Sequence, residues 1–170
     1  RPNRSTEHAI AQCCRLMQIQ HLHYAVDIDI QGFFDNVNHG KLIRQMWEMG
    51  IRDKKLLCIV KQMLKAQVVL PDGTRTTPTK GTPQGGILSP LLSNIVLNEL
   101  DWWVTSQWEE MPTHYEYKTR QNAHGTDIKS HTYRALRRSR LKEMYIVRYA
   151  DDFKIFCRSR QDAEKAFEAT

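Results

Sequence analysis

Two apolar runs, Met144-Tyr145-Ile146-Val147-Arg148-Tyr149 and Phe153-Lys154-Ile155-Phe156-Cys157, are separated only by Ala150-Asp151-Asp152. Both are rich in β-branched and aromatic residues, so they read as strands, and so short a joint makes them an antiparallel hairpin. The acidic pair then sits at or beside the hairpin tip. A tight hairpin turn favours Gly or Asn, and this joint has neither. Adjacent carboxylates repel unless a cation or solvent neutralises them. A solvated turn is the ordinary fate of a lone Asp-Asp step. Other segments of this chain argue for a different one.

One is the alternating run Tyr24-Ala25-Val26-Asp27-Ile28-Asp29-Ile30. Period two puts Tyr24, Val26, Ile28 and Ile30 on one face of a strand, and Asp27 with Asp29 on the other. Ser5 caps a preceding helix that runs to about Gln20. After the strand, Asn38 opens a helix carrying Leu42, Ile43, Met46 and Trp47, with Gly50 where its C-terminal cap belongs. Asp53 opens another, with Leu56, Leu57, Val60, Met63 and Leu64 inward. Residues 68–79 form a hairpin around Pro71-Asp72-Gly73. Gly81-Thr82-Pro83-Gln84-Gly85-Gly86 is a loop, and Ser89-Pro90 starts a long helix through about Trp108. A final helix follows the acidic hairpin. This order predicts an α+β fold with helices packed on an antiparallel sheet.

The chain has 170 residues, 41% of them hydrophobic and 26% charged, which suits one sizeable core with a smaller subdomain. No apolar run has transmembrane length and no signal-peptide segment is present, so no membrane partner and a cytoplasmic setting are expected. Cys13, Cys14, Cys58 and Cys157 form no C-x-x-C pair, which favours free thiols over zinc or disulfides. His21-Leu22-His23 has no second ligand pair to complete a metal site. From Thr113 to Lys142, Lys118, Arg120, Lys129, Arg134, Arg137, Arg138, Arg140 and Lys142 face only Glu116 and Asp127, an excess that equals the whole net charge of +6. Tyr115, Tyr117, Tyr133 and three histidines are interleaved with them. Cations for phosphates beside aromatics for bases suit a nucleic-acid surface.

If Asp29 lies beside Asp151-Asp152 in one sheet, three carboxylates converge. Such a site suits Mg²⁺, and two ions can clamp the attacking and leaving oxygens of a phosphoryl transfer. Three ordered blocks then carry a resemblance: Val26-Asp27-Ile28-Asp29-Ile30-Gln31-Gly32-Phe33-Phe34-Asp35, Thr82 to Asn94 with Pro83-Gln84-Gly85-Gly86 and Ser89-Pro90, and Arg148-Tyr149-Ala150-Asp151-Asp152-Phe153. They resemble motifs A, B and C of the palm of reverse transcriptases, specifically the bacterial group II intron-encoded reverse transcriptase/maturases. Arg1-Pro2-Asn3-Arg4-Ser5-Thr6 resembles the end of the preceding fingers block.

The resemblance implies a palm-like antiparallel sheet over residues 23–170, a basic insertion at about 113–142 and a remnant of the fingers at 1–22. It implies an RNA-directed DNA polymerase using an RNA template, a DNA primer, dNTPs and two Mg²⁺ ions, with Mn²⁺ as a substitute. It also implies group II intron RNA as a partner and a nucleoprotein in a bacterial cytoplasm. Asp29, Asp151 and Asp152 would be the catalytic metal ligands, helped by the Ile30 carbonyl. Phe34 would exclude a ribose 2′-hydroxyl, while Phe33 reads as core. Pro83, Gln84 and Gly85 would contact the nascent pair and the nucleotide, and Tyr149 would lie beside the primer terminus. Asp27 shares a face with Asp29 without being a ligand. Most of the fingers and the thumb of that family have no counterpart in these residues, so the piece alone is expected to be weakly active or inactive. Arg1 or Arg4 is then a remnant of the set that holds the triphosphate. The alternatives are an RNA-binding splicing cofactor, an RNA-dependent RNA polymerase, and a retron- or CRISPR-associated reverse transcriptase.

Overall fold

A computed structural model describes residues 5–83, 85–123, 125 and 127–170. The described chain divides into two compact units, one formed by Asp29–Glu99 and the other by the remainder.

The second of these is built on a three-stranded antiparallel sheet of β1 (Tyr24–Ile28), β7 (Asp152–Cys157) and β6 (Met144–Tyr149), with β7 in the middle. Central position explains the composition of β7. Phe153, Ile155 and Cys157 are buried and so is Phe156, so both faces of that strand are covered. Helix α1 (Thr6–Gln18) packs against β6, and α7 (Arg160–Ala169) against β1 and β7. Ser5 precedes α1, its N–H donating to His8 Nδ1 at 3.2 Å, and Ser159 caps α7 by accepting the Asp162 N–H. Leu16, Leu22, Val104, Trp108 and Tyr145 complete the core.

The run at 24–30 is a shorter strand than its alternation predicts. β1 stops at Ile28, leaving Asp29 and Ile30 outside the ladder. Tyr24 is also more open than a core-facing residue, at 44% exposure, because β1 is an edge strand. Asp27 is paired directly across to Lys154 on β7 and makes an ion pair with it. That contact accounts for one of the two acids of the run at 24–30 without a metal.

The unit Asp29–Glu99 contains α2 (Phe33–Asn36), α3 (His39–Glu48), α4 (Lys54–Leu64) and a small hairpin of β2 (Val68–Val69) and β3 (Arg75–Thr76). Asn38 and Asp53 cap α3 and α4 as the sequence suggests. Gly50 takes φ +97°, and Ile51 N–H reaches back to the Met46 carbonyl, so α3 ends in a left-handed glycine cap. Leu42, Met46, Leu57, Val60 and Leu64 form the core of this unit with Phe33 and Val37. Helix α5 (Ser89–Gln107) is a single helix whose residues from Leu100 onward belong to the sheet-bearing unit.

Between α5 and β6 the basic segment contains two short strands, β4 (Arg120–Gln121) and β5 (Asp127–Ile128), and a helix, α6 (Ser130–Arg137). None of these was legible as an element, since the charge pattern masks the short apolar signal of Tyr133 and Leu136. All four cysteines are free, and no described helix is long and apolar enough to cross a membrane.

Candidate active site

The hairpin tip is where the sheet-bearing unit concentrates its unusual geometry. Tyr149 pairs with Asp152, so the two central residues of the turn are Ala150 and Asp151. Ala150 has φ +55°, a left-handed conformation that an L-residue other than Gly adopts at a cost of about 1–2 kcal/mol. Positive φ at the first central residue belongs to the primed turns that match the twist of a hairpin. The missing glycine is thus answered by strain at an alanine.

Something must hold that strain, and Arg148 does. Its Nε donates to Asp101 Oδ1 at 2.9 Å and a terminal nitrogen to Asp101 Oδ2 at 2.7 Å, a two-pronged pair to α5. The other terminal nitrogen donates to the Ala150 carbonyl at 2.7 Å. The two side chains are 11% and 19% exposed, so water competes weakly with this fork. A planar guanidinium serves both partners at once, which a lysine ammonium would do poorly.

Asp151 is half-buried and Asp152 exposed. Among the described residues, Asp27, Glu99, Asp101, Glu143, Asp162 and Glu164 each have a cationic partner, whereas no ion pair involves Asp29, Asp151 or Asp152. Two neighbouring carboxylates left unneutralised on a strained, clamped turn fit a hard divalent cation. Mg²⁺ is typically held by one or two carboxylates, with water and substrate phosphates filling its other positions. No group of three His, Cys, Asp or Glu side chains among the described residues is arranged to hold a metal ion. The tip itself therefore offers two ligands rather than a closed cage. Tyr149, 52% exposed, is the last residue before the turn.

The other sequence-predicted residues lie in the Asp29–Glu99 unit. Asp29 is exposed and directly follows Ile28, the last residue of β1. Ile30 is half-buried, and its carbonyl already accepts the Phe33 N–H at 3.2 Å, leaving one lone pair. Phe33 is in the core as expected, and Phe34 is half-buried with its ring edge-on to that of Phe33. Pro83 and Gly85 are exposed, Gly85 at φ +73°, while Gln84 lies outside the described residues, as do Arg1 and Arg4. The Pro83 carbonyl accepts from the Gly86 N–H and the Ser89 hydroxyl, tying this loop to the start of α5.

Sequence reasoning missed Arg148, Asp101 and Ala150 as supports of the tip. Only the absence of a turn glycine hinted at them. It also missed Gly81 and Thr82, whose N–H groups donate to the Val37 and Phe34 carbonyls, and His39, which bonds the Gly81 carbonyl. A cavity of about 760 Å³ lies at the opposite, open end of the hairpin, among Gln20, Trp108, Arg137, Glu143 and Arg158. Glu143 there is 5% exposed and receives bonds from both arginines, so that end is a structural polar network rather than part of the acidic tip.

An α+β fold carrying an Asp-Asp hairpin tip defines a class, the palm-like nucleic-acid polymerases, and the family comparison makes it specific. Residues 1–170 match the reverse transcriptase (RNA-dependent DNA polymerase) family, and the chain belongs to it. It is 31% identical to the COX1/OXI3 intron 2 protein of Saccharomyces cerevisiae over 89% of this chain and 20% of that protein. It is 40% identical to the group II intron-encoded protein LtrA of Lactococcus lactis over 61% of this chain and 17% of that protein. The chain thus spans a fifth or less of the length of these curated relatives. The apo telomerase of Candida tropicalis shares the fold, with a TM-score of 0.58 and 13% identity over 96% of this chain and 31% of that one. Reverse transcriptases act on nucleic acids and use divalent metal ions, and the chain's homologues include group II intron-encoded proteins.

Proposed function

We propose that this chain is the catalytic palm of a group II intron-encoded RNA-directed DNA polymerase, with residues 1–22 closing the fingers. The carrying observation is the strained Ala150 turn that presents Asp151 and Asp152, neither of which has an ion pair among the described residues. In this reading Asp151, Asp152 and Asp29, with the free lone pair of the Ile30 carbonyl, hold two divalent ions. Bound Mg²⁺ would lower the pKa of the primer 3′-hydroxyl and neutralise the pyrophosphate leaving group. The 3′-oxygen forms a bond to the α-phosphorus of a dNTP as the bond to pyrophosphate breaks. Tyr149 flanks the primer end, Phe34 excludes a 2′-hydroxyl, and Pro83, Gln84 and Gly85 line the nucleotide. The reading is supported within the sheet-bearing unit, where Ile28 pairs with Phe153, the residue after Asp152.

The test is Mg²⁺-dependent primer extension on an RNA template by the protein in its natural length, with dNTPs and NTPs supplied separately. Extension with dNTPs alone, lost in Asp151→Ala, is the expected result. A folded, RNA-binding protein that extends nothing would overturn the reading.

A second reading, intron RNA binding that assists splicing in a nucleoprotein of the bacterial cytoplasm, is favoured by the basic segment. Tyr115 and Tyr117 are 67% and 37% exposed and lie edge to face at 5.2 Å, and Tyr117 stacks on His131 at 6.1 Å. Such rings among arginines suit unpaired bases. Asp151→Ala is expected to spare splicing assistance while abolishing synthesis. Loss of both would count against two separable roles.

A further inference from the structure

The segment 80–82 is fastened to the segment 34–37 inside the Asp29–Glu99 unit. The Thr82 N–H donates to the Phe34 carbonyl at 2.7 Å and the Gly81 N–H to the Val37 carbonyl at 2.7 Å. Lys80 Nζ donates to Asn36 Oδ1 at 2.6 Å, and Asn36 in turn donates to the Gly32 carbonyl at 2.9 Å. On the far side of the strap, His39 Nε2 lies 2.7 Å from the Gly81 carbonyl. A carbonyl only accepts, so the imidazole carries its proton on Nε2. Thr82 and His39 are 5% and 7% exposed, so their own bonds are shielded from water, whereas those of Asn36 are exposed.

The approach here is so close that only glycine fits. Gly81 has φ +88°, and a Cβ at that position would lie 3.0 Å from the carbonyl oxygens of both Phe34 and Asp35. Those oxygens are backbone atoms and yield only if the 34–35 peptide moves. Thr82 is followed directly by Pro83, where the nucleotide-lining loop begins. One strap therefore ties the backbone that carries Phe34 to that loop.

We propose that Gly81, Thr82 and His39 are positioning residues for sugar selection. They set the depth of the Phe34 ring by fixing its main chain, and so decide how strictly a ribose 2′-hydroxyl is excluded. The proposal rests on Phe34 acting as the sugar gate. Ring depth matters because a hydroxyl is excluded sterically, and a backbone shift of a few tenths of an ångström at Phe34 opens or closes that space. Gly81→Ala forces such a shift. His39→Leu removes the donor to the Gly81 carbonyl, whereas His39→Gln keeps an N–H within reach.

The experiment measures kcat/KM for dNTP and for the matching NTP during primer extension on RNA by the natural-length protein. Gly81→Ala and His39→Leu are expected to lower the dNTP-to-NTP ratio tenfold or more, and His39→Gln to restore most of it. In Phe34→Ala the ratio collapses, and adding Gly81→Ala to it lowers the ratio no further, because the glycine acts through the ring. If Phe34→Ala relaxes selection but Gly81→Ala and His39→Leu keep the wild-type ratio, the positioning role is refuted and the gate stands. If Phe34→Ala leaves the ratio intact, the gate reading fails and the positioning role with it. Should Gly81→Ala not fold, the two His39 variants decide.

Discussion

Replacing Arg148 by Met removes the clamp while keeping an unbranched apolar stem, and its effect can be worked from the bonds it makes. The guanidinium makes two short charged bonds to Asp101 and one to the Ala150 carbonyl. Exposed ion pairs are worth about 0–1 kcal/mol, and breaking a fully buried one costs about 3–5 kcal/mol. At 11% and 19% exposure this pair lies nearer the buried limit, but Asp101 retains some access to water once orphaned. A loss of about 2–3 kcal/mol follows, including roughly 1 kcal/mol for the bond to Ala150. That last contribution matches the strain of the left-handed alanine, about 1–2 kcal/mol, so the turn should lose its preference for one conformation.

Urea denaturation of the wild type, Arg148→Met, Asp101→Asn and the double variant gives the coupling energy directly. Amide hydrogen exchange reports the turn separately, with the amides of 150–152 expected to exchange faster while those of Ile155 and Phe156 follow global stability. Arg148→Lys is expected to recover part of the stability and little of the turn protection. A coupling below about 0.5 kcal/mol, or unchanged exchange at the tip in Arg148→Met, would refute the clamp.

Ala150→Gly relieves the left-handed strain but adds unfolded-state entropy of about 0.4–1 kcal/mol, so stability is expected to rise by no more than about 1.6 kcal/mol in urea titration. Glu143→Ala breaks its bonds to Arg137 and Arg158, but both arginines are nearly half exposed and rehydrate, so a loss of about 1–3 kcal/mol is expected rather than the fully buried figure. Burial, with the nearby Glu109 second, pushes Tyr133 up to about 12. Between pH 10 and 12 the unfolded chain has lost this proton and the folded one keeps it, so stability should fall as pH rises through that window, followed by tyrosinate absorbance and denaturation together. Burial likewise raises Cys157 to about 11, so iodoacetamide should modify exposed Cys58 first and Cys157 only as the protein unfolds. Replacing Arg134, Arg138 and Arg140 by Gln should flatten the salt dependence of single-stranded RNA binding, by about 0.7 in log–log slope for each phosphate no longer neutralised.

The hairpin of β6 and β7 was legible because both strands are buried enough to need apolar residues and the joint is too short for anything else. Capped helices were legible for the same local reason: Asn38 and Asp53 each satisfy an orphan N–H within their own helix. β1 was read two residues too long. Alternation continues through Asp29 and Ile30, but a strand ends where its partner's pairing ends, and sequence period carries no information about the partner. The supports of the site were illegible for a stronger reason. Arg148 finds Asp101 across 47 positions and His39 finds Gly81 across 42, and neither pairing leaves a trace in local pattern.

These distant pairings share one physical logic. Each ties a left-handed backbone position, strained at Ala150 in one unit and open only to glycine at Gly81 in the other, to a shielded partner on a helix. The acids at the Arg148-clamped tip, Asp151 and Asp152, have no ion pair among the described residues. A salt bridge to Asp151 or Asp152 would have stabilised the tip more simply, but it would have occupied the oxygens that a divalent cation needs. Placing Arg148 one step outside the turn and aiming it at the Ala150 carbonyl neutralises Asp101 instead. It rigidifies the tip while leaving both carboxylates available, as the proposed role in holding a divalent ion requires.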